Sequence, residues 1–292
     1  MTHEARSAES YEGHRPESHE PRSGESYEGR SPESPREPRS AESVVRTISD
    51  ALLALLLAPV CASCAQPLES PTPGPVCPAC WAAIRPITPP VCDGCGDPLP
   101  TWRERSRREA LCARCRRTSR LVVQARAIGP YEGTLRAIVH ALKYGGRRSL
   151  AAPLASRMRE AGGDLLVGAD ATVPVPLHPA RRRSRGFNQA DDLARHLDLP
   201  VWRVLRRTRN TTPQVALPAA SRHRNVRGAF ALHRSRVWPP PGARPLAGTT
   251  IVLVDDVSTT GATLEACARV LGEAGVSEVR ALTAARAVSS RP

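Results

Sequence analysis

The sequence is poor in aromatic residues, with four tryptophans, four tyrosines and two phenylalanines among 292 residues. Proteins that bind single-stranded nucleic acid without sequence preference stack the bases on aromatic side chains, and this composition offers few such platforms. Lysine is almost missing, since Lys143 is the single lysine among 42 basic residues. The net charge of +14 still favours polyanionic partners, either nucleic acid or a small pyrophosphate ester.

Long apolar runs are missing too. The run around Leu52–Leu57 covers about a dozen residues, whereas about 20 are needed to span a bilayer. It follows a long charged segment, which is untypical of a secretory signal, so we expect a cytoplasmic protein with no membrane span. The pattern at Val44–Ala58 predicts an amphipathic helix that packs on the next module, and a helix lying on a membrane surface is the alternative.

Residues 1–43 consist largely of Pro, Glu, Ser and Arg, and RSAESYEG at residues 6–13 returns as RSGESYEG at residues 22–29. A segment of this composition cannot bury enough apolar surface to fold. We therefore expect a disordered, repeat-containing tail at 1–43. A helix with a metal-binding module follows at 44–120, and an α/β domain occupies 121–292.

Eight of the nine cysteines form four C-x-x-C pairs, a spacing typical of structural zinc sites. The pairs are Cys61/Cys64, Cys77/Cys80, Cys92/Cys95 and Cys112/Cys115. An internal repeat, CASCAQPL at residue 61 and CDGCGDPL at residue 92, favours sequential pairing into two tandem zinc ribbons. A cross-braced pairing is the alternative, and a disulfide framework is disfavoured because no secretory signal accompanies the cysteines. Cys267 stands apart on the apolar face of a predicted helix.

The most informative segment is Ile251–Thr263, in which an apolar strand runs into Asp255 and Asp256 and then into a small-residue turn. Such a strand suits a parallel sheet covered on both faces, and ligands of these sheets bind beyond the carboxyl ends of the strands. The turn precedes a predicted helix, whose free N–H groups favour a phosphate. Its candidate phosphate-binding residues are Thr259, Thr260, Gly261, Ala262 and Thr263.

Carboxylates repel phosphate unless they face ribose hydroxyls or a divalent metal. A ribose 5-phosphate that carries a metal-bound pyrophosphate satisfies both the acids and the turn. The alternative is a buried strand with two solvated acids, followed by a capped helix.

A second anion site is predicted in the loop at residues 178–189, where Arg181, Arg183 and Arg185 precede a helix and could grip a pyrophosphate. A solvated basic loop is the alternative. Lys143 ends another predicted helix. It either meets a need for a compact ammonium, which a planar guanidinium cannot fill, or survives by accident.

An insertion at about 203–230 has little apolar periodicity and many arginines. We interpret it as a flap that closes over a substrate and excludes water, with a disordered linker as the alternative. Its candidate acceptor- or DNA-binding residues are Arg206, Arg207, Gln214, Arg222 and Asn225.

The acidic-pair segment resembles the phosphoribosyl pyrophosphate (PRPP) motif of type I phosphoribosyltransferases. Together with the cysteine pairs, ALKY at residue 141, RGFNQ at residue 185 and NVRGAF at residue 225, it resembles the ComF family over about residues 48–288. The resemblance implies a mostly parallel sheet flanked by helices, preceded by a zinc-ribbon module, and a link to DNA uptake. It also implies that Asp255 and Asp256 are catalytic, hold the ribose hydroxyls and through them Mg²⁺, with Asp256 assisting proton loss.

The sequence is compatible with two functions. One is a transferase that displaces pyrophosphate from PRPP with a nitrogen nucleophile. The other is a binding module that senses PRPP in the same pocket while its ribbons and arginines engage single-stranded DNA, with an affinity that falls steeply with salt.

Overall fold

The computed structural model describes residues 41–72, 74–99, 111–210, 225–233 and 245–288. The helices are α1 (Ala41–Leu57), α2 (Pro78–Ala82), α3 (Ala113–Arg117), α4 (Gly133–Tyr144), α5 (Ala151–Leu166), α6 (Pro179–Arg185), α7 (Gln189–Ala194) and α8 (Ala262–Glu273), with a short 3₁₀ turn at Arg148–Leu150. The strands are β1 (Val122–Pro130), β2 (Ala171–Pro174), β3 (Leu205–Arg207), β4 (Phe230–Leu232), β5 (Thr250–Ser258) and β6 (Glu278–Arg286).

Four strands form a parallel sheet in the order β1-β6-β5-β2, which confirms the predicted fold class. β2 ends at Pro174, as its prolines predict, because proline cannot donate to a ladder. β5 runs further than the sequence indicates. It pairs with β6 as far as Ser258 and Arg286, so Asp255 and Asp256 lie within the strand near its carboxyl end.

Side chains of β5 alternate between two apolar layers. Ile251 and Leu253 pack with Leu264, Cys267 and Leu271 of α8, whereas Val252 and Val254 pack with residues of α4, α5 and α7. Successive side chains of a strand point to opposite faces of its sheet, and each face here is covered by helices. The four apolar residues are fully buried, which explains why the strand reads as one continuous apolar run.

The internal repeat of the sequence is a structural repeat. In the first knuckle Cys61 N donates to Gln66 O at 2.8 Å and Leu68 N donates to Pro59 O at 2.8 Å. In the second, Cys92 N donates to Asp97 O at 2.8 Å and Leu99 N donates to Pro90 O at 2.9 Å. Each knuckle is followed by a five-residue helix that begins directly after a cysteine, α2 after Cys77 and α3 after Cys112.

The second knuckle is attached to the edge of the sheet at β1. Ala125 N donates to Asp93 O at 3.0 Å, and a Cβ atom at Gly96 would lie 2.8 Å from Ala125 O. The close approach therefore requires glycine at residue 96, and its φ of 72° also favours glycine. The segment between the ribbons also reaches β1, because Ile87 N donates to Ile128 O at 3.0 Å.

Helix α1 is confirmed in position but differs from the expectation in its contacts. The predicted helix is present, but its described apolar side chains are largely exposed, as at Ile48 and Leu55, so the expected packing of an apolar face on the next module is wrong for these residues. Its contact with the first ribbon is polar, from Thr72 N to the Asp50 carboxylate at 2.7 Å.

Of the predicted tail, only residues 41–43 fall within the described part, and they begin α1. No helix among the described residues is long and apolar enough to cross a bilayer.

Candidate active site and zinc ribbons

The two acids of the β5 motif point in opposite directions from the sheet. Asp256 continues the side of Val252 and Val254, and its Oδ1 lies 2.8 Å from Lys143 Nζ at the end of α4. Both side chains are largely buried, with 15% of the lysine and 11% of the aspartate exposed. Burial is the largest single effect on Lys143 and lowers its pKa, but the charge and hydrogen bond of Asp256, together with the charges of Asp255 and Tyr131, outweigh it and raise the pKa above its usual value. The single lysine of the chain is therefore a charged partner of the acidic motif.

Asp255 lies on the α8 side and carries the most perturbed carboxyl of the site. Burial and the charge of Asp256 raise its pKa to about 7, against the opposing effects of Lys143, the Asp256 N–H group and Arg207. Its Oδ1 accepts a hydrogen bond from Asp256 N at 2.9 Å. A carboxyl group with a pKa near neutrality at the carboxyl end of a parallel strand is a candidate for proton transfer.

The predicted phosphate turn follows directly. Gly261 adopts a φ of 80° at the N-cap of α8, and Glu265 N donates to its carbonyl at 2.9 Å. Thr260 Oγ1 accepts from Ala262 N at 3.4 Å. Gly261 and Ala262 are buried, whereas Thr259, Thr260 and Thr263 are partly exposed. The turn thus presents threonine side chains at the start of a 12-residue helix, a favourable position for an anion.

The predicted arginine loop is instead helix α6, which begins at Pro179 because proline has a suitable φ and needs no N–H partner there. It ends at Gly186, whose φ is 83°. On this helix the side chains of Arg181, Arg183 and Arg185 have different surroundings. The charge of Arg181 adds to burial in lowering the pKa of Arg207, which places Arg181 toward the site. Arg185 lies 5.0 Å above the Tyr144 ring, next to Lys143, whereas Arg183 is exposed.

The described residues of the predicted flap include the antiparallel pair of strands β3 and β4. Arg207 is buried, with its guanidinium 5.2 Å from the centre of the Phe230 ring and within electrostatic reach of Asp255. Arg206 points away and donates to Leu232 O at 3.1 Å. Asn225 begins a short helical turn within the flap segment, before β4. Gln214 and Arg222 lie outside the described residues, so their predicted roles stay predictions.

The cysteines gather into two clusters, and the pairing is sequential. The sulfur atoms of Cys61, Cys64, Cys77 and Cys80 lie within 4.8 Å of one another, as do those of Cys92, Cys95, Cys112 and Cys115. Four sulfurs this close, on two knuckle pairs, fit the tetrahedral thiolate site that Zn²⁺ prefers, so both clusters support structural zinc. Burial raises the pKa of Cys61, but backbone N–H groups, chiefly those of Cys64 and Cys77, lower it to about 6. A thiolate is the form that binds metal.

Two arginines next to the second cluster are not among the residues that the sequence predicts for the site. Arg120 Nε donates to Glu265 Oε1 at 2.9 Å, and its Nη1 donates to Cys115 Sγ at 3.3 Å. Arg286, at the end of β6, donates through Nε to the Asp97 carboxylate and through Nη1 to Ser258 Oγ at 3.4 Å. These contacts join the second ribbon to the end of β5 and to α8, the elements that carry the acids and the turn.

Comparison with known proteins supports both parts of the chain. The family model of the phosphoribosyl transferase domain matches residues 183–292, and the double zinc ribbon domain matches residues 52–116. Competence protein F of Haemophilus influenzae is 31% identical over 222 residues, which cover 73% of this chain and 90% of that protein. The DNA utilization protein YhgH of Salmonella typhimurium is 31% identical over 76% of this chain and 94% of its own length. Competence protein ComFC of Bacillus subtilis is 28% identical over 68% of this chain and 79% of its own length.

Proposed function

Because this chain belongs to the ComF family, we propose that it binds PRPP together with Mg²⁺ and transfers the phosphoribosyl group to a nitrogen acceptor. One observation carries the proposal. The acid pair Asp255 and Asp256, the cation Lys143 and the turn at residues 259–263 meet at the carboxyl end of strand β5 in the parallel sheet. Ligands of open α/β sheets bind just beyond the carboxyl ends of the strands.

Each part of PRPP has a group of matching chemistry nearby. The 5-phosphate would bind the turn at the start of α8, where N–H groups and threonine hydroxyls donate. The pyrophosphate would lie against Lys143, Arg181 and Arg207. The two carboxylates would accept from the ribose hydroxyls. Oxygen donors of this kind suit Mg²⁺, which would be held through the ribose and pyrophosphate oxygens and would supply charge neutralisation of the leaving group.

The transfer forms a bond between the acceptor nitrogen and C1 of the ribose, and the bond from C1 to the pyrophosphate oxygen breaks. The electron pair leaves with pyrophosphate, where Arg181, Arg207 and Lys143 stabilise the developing charge. The proton of the acceptor nitrogen must then go to a base. Asp255 fits this role better than Asp256, because its pKa is raised to about 7 while Asp256 is held in the ion pair with Lys143.

A direct assay tests transfer. The full-length protein is incubated with PRPP and Mg²⁺ and with each member of a panel of nucleobases and amines, and the release of pyrophosphate is measured. We expect release with at least one acceptor and its loss in Asp255→Asn and Asp256→Asn. Asp198→Asn is the matched control, because it makes the same chemical change at a side chain that is 78% exposed. Release that persists in both site variants would refute the assignment of the acids.

A binding function on single-stranded DNA is the second candidate. Relatives are named for competence and DNA utilization, the chain carries a net charge of +14, and exposed arginines such as Arg183 lie on α6 near the site. DNA affinity should then fall by roughly 0.7 log unit per log unit of salt for each phosphate neutralised. Failure to release pyrophosphate with any acceptor, together with salt-dependent DNA binding that PRPP changes, would favour this function over transfer.

A further inference from the structure

Arg120 connects the second zinc cluster to the phosphate turn through a single side chain. Its three nitrogens have three different neighbours: Nε bonds Glu265 Oε1 at 2.9 Å, Nη1 bonds Cys115 Sγ at 3.3 Å, and Nη2 lies 2.8 Å from the position of a Cβ atom at Gly261. The side chain is only 12% exposed. The guanidinium is therefore fixed on both sides and lies directly against the turn.

The neighbouring backbone strengthens this link. Leu121 N donates to Glu265 Oε2 at 2.9 Å, so one carboxylate in the first turn of α8 receives both the side chain of Arg120 and the chain that follows it. A Cβ atom at Gly94, in the second knuckle, would lie 3.5 Å from Arg120 Cδ and 3.6 Å from Cys115 Sγ. The stem of Arg120 thus lies against the second knuckle before its head reaches the turn.

Arg286 forms a second and separate link. It is 3% exposed, bonds the Asp97 carboxylate of the second knuckle, and reaches Ser258 Oγ at 3.4 Å, immediately before the turn. Its Nη2 is buried and has no hydrogen-bond partner among the described residues. Two guanidinium groups therefore join the second ribbon to the two ends of the segment between Ser258 and Glu265.

The two clusters differ in this respect. Four thiolates around Zn²⁺ carry a net charge of −2, which attracts nearby guanidinium groups. Cys61 Sγ and its counterpart Cys92 Sγ both accept hydrogen bonds from backbone N–H groups of their own ribbon, Cys61 from Ser63 and Cys77, and Cys92 from Cys112. In the second cluster Cys115 Sγ accepts in addition from the Arg120 side chain that contacts the turn.

We propose that the second ribbon is a working part of the PRPP site: Arg120 is a positioning residue for the 5-phosphate turn, and occupancy of the second cluster by zinc sets the affinity of that turn. The proposal rests on the proposed binding of PRPP at this turn. Without the metal, the four sulfurs are no longer held together, so the guanidinium of Arg120 loses a fixed partner on one side and no longer packs against Gly261 in one defined position. The first ribbon has no equivalent effect.

Calorimetric titration of the full-length protein tests this, with ribose 5-phosphate and Mg²⁺-pyrophosphate as separate probes. Arg120→Gln should weaken binding of ribose 5-phosphate by about tenfold or more, which corresponds to the loss of roughly one charge-assisted contact, with pyrophosphate binding unchanged. Arg181→Gln should show the reverse. Arg116→Gln is the matched control, because its guanidinium bonds Leu111 O within the same ribbon, and both titrations should match those of the unmodified protein. A general loss of structure would weaken both probes together.

A second arm compares the clusters. Cys115→Ser and Cys80→Ser should each lose one zinc ion per chain by metal analysis, and only Cys115→Ser should lose ribose 5-phosphate affinity. If circular dichroism shows that Cys115→Ser does not fold, the comparison of Arg120→Gln with Arg116→Gln decides. Equal effects of the two cysteine variants, or unchanged ribose 5-phosphate binding in Arg120→Gln, would overturn the inference while PRPP binding stands. An unmodified protein that does not bind PRPP would overturn the proposed function and the inference with it.

Discussion

Replacing Asp255 by Asn should stabilise the protein at pH 8 while it weakens PRPP binding. Burial and the charge of Asp256 raise the pKa of Asp255 from its usual 3.8 to about 7. The folded protein therefore binds this proton more tightly than the unfolded chain does. By linkage, the contribution of Asp255 to stability is fully present below the unfolded value near pH 4 and is lost as the pH rises to about 7.

The size of the effect follows from the shift. One pKa unit corresponds to about 1.4 kcal/mol, so the ionised carboxylate costs on the order of 4 kcal/mol above pH 7. Between pH 5 and pH 8 the unmodified protein should lose about 2–3 kcal/mol relative to Asp255→Asn. The amide oxygen of Asn can still accept the hydrogen bond from Asp256 N, which spans 2.9 Å, so the variant keeps that local contact.

Urea unfolding at pH 5, 6, 7 and 8 measures this difference. The titration of the zinc ligands affects both proteins alike and cancels when the two are compared. Asp198→Asn serves as the control, since that side chain is 78% exposed. A stability gap between Asp255→Asn and the unmodified protein that is equal at pH 5 and pH 8, or larger at pH 5, would refute the argument that Asp255 is kept at the site at a cost in stability.

Three further outcomes are expected. Lys143→Ala should lower the free energy of unfolding by about 3 kcal/mol in urea, because it leaves the largely buried Asp256 without its partner at 2.8 Å. Lys143→Arg should keep most of this stability but bind PRPP more weakly than the unmodified protein. Equal PRPP binding by Lys143→Arg and the unmodified protein would contradict the need for a compact ammonium. Gly261→Ala should cost about 1–2 kcal/mol through its φ of 80° and should lower PRPP affinity in titration by displacing Arg120; unchanged affinity would count against the turn. Metal analysis should find two zinc ions per chain, whose removal by a chelator lowers the unfolding temperature, and a fully folded chain with fewer than two would contradict the cluster assignment.

The parts of the fold that the sequence predicts are those with strong local periodicity. The continuous apolar run at 251–254 indicates a strand buried on both faces, and the structure places it there. The helix that ends near Lys143 is predicted equally well. The run from His178 to Gln189 is predicted as a loop because prolines end the strand before it, yet residues 179–185 are helical. A short surface helix needs no apolar stripe when proline begins it and glycine ends it.

The candidate site was predictable where residue types are rare and hidden where they are common. Lys143 is a candidate because the chain has no other lysine, and in the structure it forms an ion pair with Asp256. Arg120 and Arg286 belong to the commonest basic type in this sequence, so neither composition nor spacing separates them from solvated arginines. Their importance comes from contacts across 145 residues to Glu265 and 189 residues to Asp97, which only folding creates.

The two ribbons are alike inside and differ in how they attach to the rest of the chain. Each knuckle has the same backbone hydrogen bonds, and each ribbon has the same five-residue helix directly after the first cysteine of its second pair, so either ribbon could hold its own zinc ion. They differ in what lies outside the cluster. The glycine of the second repeat, Gly96, permits a close approach to β1, whereas Ala65 occupies the equivalent place in the first repeat. The second ribbon can therefore lie on the sheet edge, which brings Cys115 and Asp97 within reach of Arg120 and Arg286. A Gly96→Ala variant should disturb that approach, because its Cβ would lie 2.8 Å from Ala125 O. We expect it to weaken ribose 5-phosphate binding while both zinc ions stay bound, and unchanged affinity would mean that the turn does not depend on how the ribbon is attached.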